Sequence, residues 1–237
     1  MKRIQQILVL LITLLVPLFA IAGCSSGDVS KAATAVSSSV QSGYSIDTHQ
    51  TTADGHVDIY MLDIGQGDAI LIKVGDEYSM IDTGDIEHRE NIVGQLQNMG
   101  VTKLKNVIIT HPHADHIGGL DRVAKEIKIN NLYVSNGEAD TKSYRDFINE
   151  AANKGLYPSV PLLGSKFDLA GSTFEVLLVA NTNDPNNNSI VLLYTNGNDK
   201  ILLMGDAEKE IEQKLNIRDV DLLKVGHHGS HSSSSKP

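Results

Sequence analysis

From Val57 onward, short apolar runs alternate with turns of Gly, Asp and Asn, and helical patterns interrupt them in both halves of the chain. Few folds can bury such a series. "VDIYMLDIG", "DAILIKVG" and "EYSMIDTG" read as three antiparallel strands, each closed by turn residues. A helix is predicted from about His88 to Met99, with Gly100 as its stop. "LKNVIIT" is the next strand, "GGLDRVAKEI" a helix and "KINNLYVS" a strand. "KSYRDFINEAANK" is a helix capped by Thr141 and stopped at Gly155. Strands follow at "SKFDL", "STFEVLLVA", "SIVLLYTN" and "KILLMG", then a helix "AEKEIEQKL" and a last strand "VDLLKVG". No solenoid-type repeat is present. Many strands with helices in both halves predict an α/β sandwich: two packed sheets, helices outside, functional groups on loops at one edge. With 41% hydrophobic residues, the 237-residue chain can bury such a core.

The first 55 residues have a different character. Met1-Lys2-Arg3 is basic, Ile4 to Ala22 is almost wholly apolar, and Ile21-Ala22-Gly23-Cys24 closes the run with small residues. A run of this length also suits a membrane-spanning helix, so Cys24 decides between the two readings. It is the only cysteine, without a disulfide partner in the chain, and Ile-Ala-Gly-Cys resembles the lipobox of bacterial lipoproteins. The resemblance implies a signal peptide over residues 1–23, cleavage before Cys24, and lipidation of Cys24 with a diacylglycerol. Two acyl chains anchor stably, at about 0.8 kcal/mol per buried methylene. Residues 24–55, as in "SSGDVSKAATAVSSSVQSGYS", have no apolar period and are predicted to form a flexible tether. Removing Lys2 and Arg3 takes the formal charge from -9 to -11, an acidic body that an acidic membrane surface repels. The expected location is the extracellular face of the bacterial cell membrane, with residues 56–237 as the anchored domain.

One stretch carries the chemistry. "THPHADHIGG", residues 110 to 119, places His111, His113, Asp115 and His116 directly after a strand and closes with Gly118-Gly119. Imidazole nitrogen with carboxylate oxygen is the donor set of zinc, manganese and iron. A zincin helix needs two histidines four apart with a Glu between them, a pattern absent here. Four ligand-type side chains within six positions therefore read as a loop-borne metal site.

This HxHxDH pattern resembles the metallo-β-lactamase superfamily, whose fold is a four-layer αβ/βα sandwich with a one- or two-metal edge site. "MLDIGQGDAILI", "MIDTG", "GDAE" and "LLKVGHHGS" extend the likeness to the hydrolase domain of ComEC-type competence proteins, over roughly residues 56 to 232. The resemblance implies a bridging carboxylate at Asp206, a residue that also suits a helix N-cap. It implies a carboxylate at Asp82 that orients a ligand histidine. His227 and His228 resemble the last ligand and its substrate-facing neighbour, with His228 given the ligand role. No histidine lies between Ile117 and Gly226, where members of the superfamily offer a third histidine to the first metal. One metal would then have His111, His113 and Asp206, and the other Asp115, His116, Asp206 and His228. Such an oxygen-rich pair suits two divalent ions, Zn2+ or Mn2+, and argues against lactam hydrolysis.

The implied reaction is phosphodiester hydrolysis by a water activated between cations about 3.5 to 4 Å apart, with Asp115 as ligand and proton acceptor and His227 near the substrate. Asn188 and Ser189 in "NTNDPNNNS", and Ser230 in "HHGS", are candidate donors to substrate oxygens, although the Asn-rich stretch equally suits a turn. DNA outside the cell is the substrate the resemblance implies, while the acidic charge opposes nonspecific nucleic-acid binding. A local patch of Lys73, Lys103, Lys105, Lys128 or Lys224 would offset it. A surface esterase for phosphocholine-type phosphodiesters and a non-catalytic binding lipoprotein are the alternatives. Relatives of this kind continue past "HHGS" with another strand and helix, so a chain stopping at Lys236-Pro237 reads as C-terminally incomplete, with low stability or weak activity expected.

Overall fold

The computed structural model describes residues 56–217 and 219–235; the predicted signal peptide, Cys24 and the Ser-rich stretch lie outside the described residues. In chain order the elements are β1 (Asp58–Met61), β2 (Ile70–Val74), β3 (Glu77–Ile81), α1 (Arg89–Asn98), β4 (Lys103–Ile109), α2 (Ala114–Ile117), α3 (Leu120–Glu126), β5 (Lys128–Val134) and α4 (Lys142–Lys154). The second half contributes β6 (Lys166–Leu169), β7 (Ser172–Leu178), β8 (Val191–Asn196), β9 (Asp199–Leu203), α5 (Lys209–Glu212) and β10 (Leu222–Lys224). Among the described residues no helix is long and apolar enough to cross a membrane.

Two five-stranded sheets result, in the orders β1-β2-β3-β4-β5 and β10-β9-β8-β7-β6. The first three strands pair antiparallel, as their alternation predicts, whereas β3-β4 and β4-β5 are parallel because a helical connection separates each pair in sequence. Period-2 geometry then sorts side chains by layer. Ile70 and Ile72 face the second sheet, packing with Phe174, Val176, Leu192 and Tyr194. Leu71 between them faces the helices, with Ile92 and Leu96 of α1, Val123 of α3 and Phe147 of α4. Burying each such side chain contributes about 1.5–3 kcal/mol. Ala207 and Ile211, beside and within α5, cover part of the outer face of the second sheet with Val191 and Leu202. The layers run helix, sheet, sheet, helix, as expected.

Local signals fix the element ends. Thr141 Oγ1 accepts from Tyr144 N (3.2 Å) at the start of α4, a cap of about 1 kcal/mol, and Gly155 ends it at φ +63°. Two predictions were too long. The helix at "AEKEIEQKL" shrinks to the four residues of α5, and its cap is Glu208, so Asp206 caps nothing. The histidine cluster is also not all loop: Asp115 and His116 lie on the single turn α2, whose Asp115 is too near its start to have an intrahelical N–H partner.

β4 lies inside the sheet with parallel neighbours on both sides and is buried toward its carboxyl end, which opens at an edge where ligands gather in α/β sheets. Ile190 N, just before β8, donates to Thr110 O (2.9 Å) and stitches the two sheets together at that point. Parallel β9 and β10 deliver Asp206 and the 3-10 turn Gly226–Gly229 to the same edge.

Candidate metal centre

Six predicted ligands converge at this edge. His111 Nε2 lies 3.1 Å from His113 Nδ1 and 3.7 Å from Asp206 Oδ2. His116 Nε2 lies 3.2 Å from the same Asp206 oxygen and 3.8 Å from Asp115 Oδ2. His228 Nε2 lies 3.4 Å from both Asp115 Oδ2 and Asp206 Oδ2. Asp206 is therefore shared between the histidines of the cluster, and the donor atoms of His111, His116 and Asp206 fall within 4.8 Å of one another. His227 stands slightly farther off, its Nε2 3.9 Å from Asp206 Oδ2, while its Nδ1 is held by Glu208 Oε1 (3.2 Å) and Ser232 Oγ (3.1 Å). His227 and His228 both adopt left-handed backbone angles, φ +45° and +51°, which cost non-glycine residues about 1–2 kcal/mol each. The turn Gly226–Gly229 holds that strain and aims both rings inward.

Asp82 is fully buried beside His116. Its carboxylate accepts from Thr110 N (2.7 Å) and Thr110 Oγ1 (2.6 Å) and is 2.8 Å from His116 Nδ1, fixing that ring with Nε2 toward the cluster. Asp68 is the residue that sequence reasoning missed. Its Oδ1 is 3.4 Å from His228 Nδ1, and Lys224 pairs with its other oxygen. "MLDIGQGDAILI" contributed to the family likeness, but no local ligand spacing gave its Asp68 a role.

The three residues expected to face substrate have contacts within the fold. Asn188 Oδ1 accepts from Thr182 N (2.6 Å) and its Nδ2 donates to Thr182 O (3.0 Å), closing the loop on itself. Ser189, fully buried, accepts the Asp206 N–H (3.0 Å) and sets that residue's backbone. Ser230 Oγ lies 3.2 Å from Ser232 Oγ within the terminal turn. The lysine patch does not assemble. Lys103 and Lys128 are cross-strand partners at the starts of β4 and β5, roughly 20 Å from the carboxyl ends at about 3.3 Å per residue. Lys73 faces Asp58, Lys105 bonds Glu77 and Asp168, and Lys224 is 11% exposed within the cluster.

The residues fit divalent metal. Asp206 Oδ1 is buried without a hydrogen-bond partner, with Lys224 Nζ standing 3.8 Å away, and His116 Nε2 has only the 3.2 Å approach of Asp206 Oδ2; a buried polar atom left unpaired costs about 1–3 kcal/mol unless something else satisfies it. Both atoms belong to a set of imidazole and carboxylate donors, which a divalent cation satisfies together.

Charge within the cluster points the same way. Burial and the neighbouring His116 charge push His111 down to about 2, so its ring is neutral and free to ligate. Burial opposes a charged His116, yet the Asp82 and Asp206 carboxylates outweigh it and hold that ring up at about 10. Hydrogen bonding to Asp115, Asp206 and Asp68 lifts His228 to about 11. The His228 bond in turn holds Asp115 down at about 2. Without a cation, the His116 and His228 imidazolium rings and Lys224 face the carboxylates of Asp68, Asp115 and Asp206 at neutral pH. Ligation requires both rings neutral, so metal uptake at pH 7.5 is expected to release about two protons. Calorimetry in buffers of different ionisation enthalpy measures this; uptake without proton release contradicts it. In the chelated protein, the histidine contribution to stability is fully present below their ordinary 6.5 and is lost as pH rises through 10 to 11. The Asp115 contribution is present above 3.8 and lost as pH falls through about 2.

Comparison with known proteins identifies the family. The sequence profile of the metallo-beta-lactamase superfamily matches residues 62–236. The chain belongs to that superfamily. "ComE operon protein 3" of Bacillus subtilis is 30% identical over 211 residues, 78% of this chain and 27% of the relative. "Recombination protein 2" of Haemophilus influenzae is 30% identical over 184 residues, 74% of this chain and 22% of the relative. The chain thus spans about a quarter of the length of these relatives. A HARLDQ-motif mutant of a metallo-beta-lactamase from Cronobacter sakazakii superposes with a TM-score of 0.52 at 13% identity, covering 70% of this chain and 75% of that one. That likeness concerns the superfamily fold alone.

Proposed function

We propose that this superfamily member is a dinuclear metal-dependent phosphodiesterase, held at the outer face of a bacterial membrane through lipidated Cys24. One observation carries the reading: His111, His113, Asp115, His116, Asp206 and His228 converge at one edge, where Asp206 Oδ1 is buried without a hydrogen-bond partner. Divalent ions, Zn2+ or Mn2+, would be held by these residues and would supply Lewis acidity that activates water and stabilises charge on a phosphoryl group. His111, His113 and Asp206 would hold one and Asp115, His116, Asp206 and His228 the other.

The chain's own residues do the rest. Asp115 is ionised at neutral pH like any ordinary carboxylate, and its side chain, 28% exposed beside His228, is placed to accept a hydrogen bond from attacking water. Glu208 and Ser232 orient His227 so that Nε2 faces Asp206, where it meets substrate or the leaving oxygen. Thr110, Asp82 and Ser189 keep His116 and Asp206 in register from behind.

Two substrates divide this reading. The names of the relatives, one of them a recombination protein, favour nucleic acid. Lysine placement favours a smaller phosphodiester of the phosphocholine type, since phosphate contacts along DNA need cations near the site and the five lysines above are remote, paired or buried. Purified protein loaded with Mn2+ or Zn2+ should hydrolyse bis(p-nitrophenyl) phosphate. Cleavage of linear DNA as well assigns a nuclease, and cleavage of the small ester alone assigns the esterase. Metal uptake with neither activity would leave a binding lipoprotein of the same fold.

A further inference from the structure

The cluster contains two three-residue chains of the same design, and sequence reasoning recognised only one. In the first, Thr110 fixes Asp82, and Asp82 takes His116 Nδ1 at 2.8 Å. In the second, Lys224 pairs with Asp68, and Asp68 Oδ1 lies 3.4 Å from His228 Nδ1. Asp82 faces the Nδ1 of His116 and Asp68 that of His228, with Asp68 Oδ2 standing farther off, 3.9 Å from His116 Nδ1, and both rings turn Nε2 toward Asp206. We propose that Asp68, locked by Lys224, is the positioning residue that sets His228 as a metal ligand.

Three observations support the assignment. Asp68 is stitched on both sides: its N–H donates to Asp115 O (3.2 Å) and its C=O accepts from Gly84 N (2.8 Å). Its carboxylate therefore has a fixed origin between the Asp115 turn and the Asp82 turn. Lys224 Nζ is held in turn, donating to Gly205 O (2.9 Å), and the Lys224 and Asp68 side chains are only 11% and 12% exposed. Among the described residues, Lys224 is the one lysine or arginine paired with carboxylates of the cluster. Third, His228 needs an orienting partner more than His116 does. His116 is fully buried, so packing confines its ring; His228 is 31% exposed on a short turn with a left-handed backbone and packs on one side against the His116 ring (5.2 Å between centroids), so polar contacts weigh more in setting its orientation.

The inference rests on the cluster being a metal centre but not on its substrate, so the experiment reads Mn2+ affinity. Asp68→Asn should weaken Mn2+ binding about 10–100-fold, the usual effect of removing a group that orients a ligand histidine. The same substitution in a His228→Ala background should add less than about twofold, because its effect passes through that ring. Lys224→Met, which keeps chain length and removes the charge, should act in the same direction; thermal melts of all variants confirm folding, and Asp68→Asn alone suffices should Lys224→Met not fold. Equal weakening with and without His228, or no weakening, overturns the proposal. Wild-type protein that takes up no Mn2+ overturns both this inference and the proposed function. Intact coupling without phosphodiester hydrolysis overturns the proposed function only.

Discussion

Asp206→Asn is expected to lower turnover of bis(p-nitrophenyl) phosphate by about 10²–10³-fold, the scale for removing one preorganised electrostatic group from a reaction site. The substitution keeps side-chain shape and deletes a charge that three histidines share: His111 at 3.7 Å, His116 at 3.2 Å and His228 at 3.4 Å. Burial would push the Asp206 carboxyl up, but hydrogen bonds with His116 and His228 hold it far below the ordinary range. An amide cannot take over that role. It also offers a single weakly donating oxygen, so both halves of the cluster lose affinity together. The backbone should stay in place, because Ser189 Oγ grips the Asp206 N–H and not its side chain. The expected pattern is a folded protein by thermal melt, weaker uptake of Mn2+ and nearly absent turnover. Retention of more than a tenth of wild-type turnover at saturating metal would show that Asp206 is not shared.

Why some of the centre was legible and some was not follows from where each signal resides. His111, His113, Asp115 and His116 sit within six positions, so one strand end brings them together whatever the rest of the chain does. Asp206 and His228 come from distant loops, and motif resemblance, not spacing, picked them out. Asp68 has meaning only beside Lys224 and His228, partners that arrive from β10 and the turn after it. Likewise Asn188 and Ser189 carry side chains equally suited to turns and to substrates, and only the contacts with Thr182 and Asp206 decide. Lys224 counted as a basic residue in the sequence; in space it is an internal counter-ion. The layer order was readable because strand and helix periods differ, whereas single turns such as α2 and α5 are too short to show a period.

Glycine substitutions test how the centre is held, and two of them should act with opposite sign. Gly118 has ordinary helical angles, φ -62° and ψ -28°, so conformational freedom does not explain it. Close approach does: a Cβ there would lie 2.3 Å from Ile86 N, 2.4 Å from Ala114 O and 2.4 Å from the Asp85 carbonyl carbon. Those atoms are backbone and cannot swing aside. The contact exists because Gly118 N donates to Gly84 O (2.7 Å) while Thr83 N donates to His116 O (2.7 Å), clamping the segment of His116 onto the segment of Asp82. Gly118→Ala must prise these segments apart, at about 2–3 kcal/mol for overpacking, or roughly 5–12 °C in Tm for a domain of this size. The same displacement separates Asp82 from His116, so Mn2+ affinity should fall as well. Gly94, inside α1, has nothing within 4 Å of the equivalent Cβ. Gly94→Ala should therefore raise stability by about 0.5–1 kcal/mol, the helix-propensity gain alone. Thermal melts of the two variants side by side make the comparison, and a Gly118→Ala protein as stable as wild type would break the link between this clamp and the metal centre.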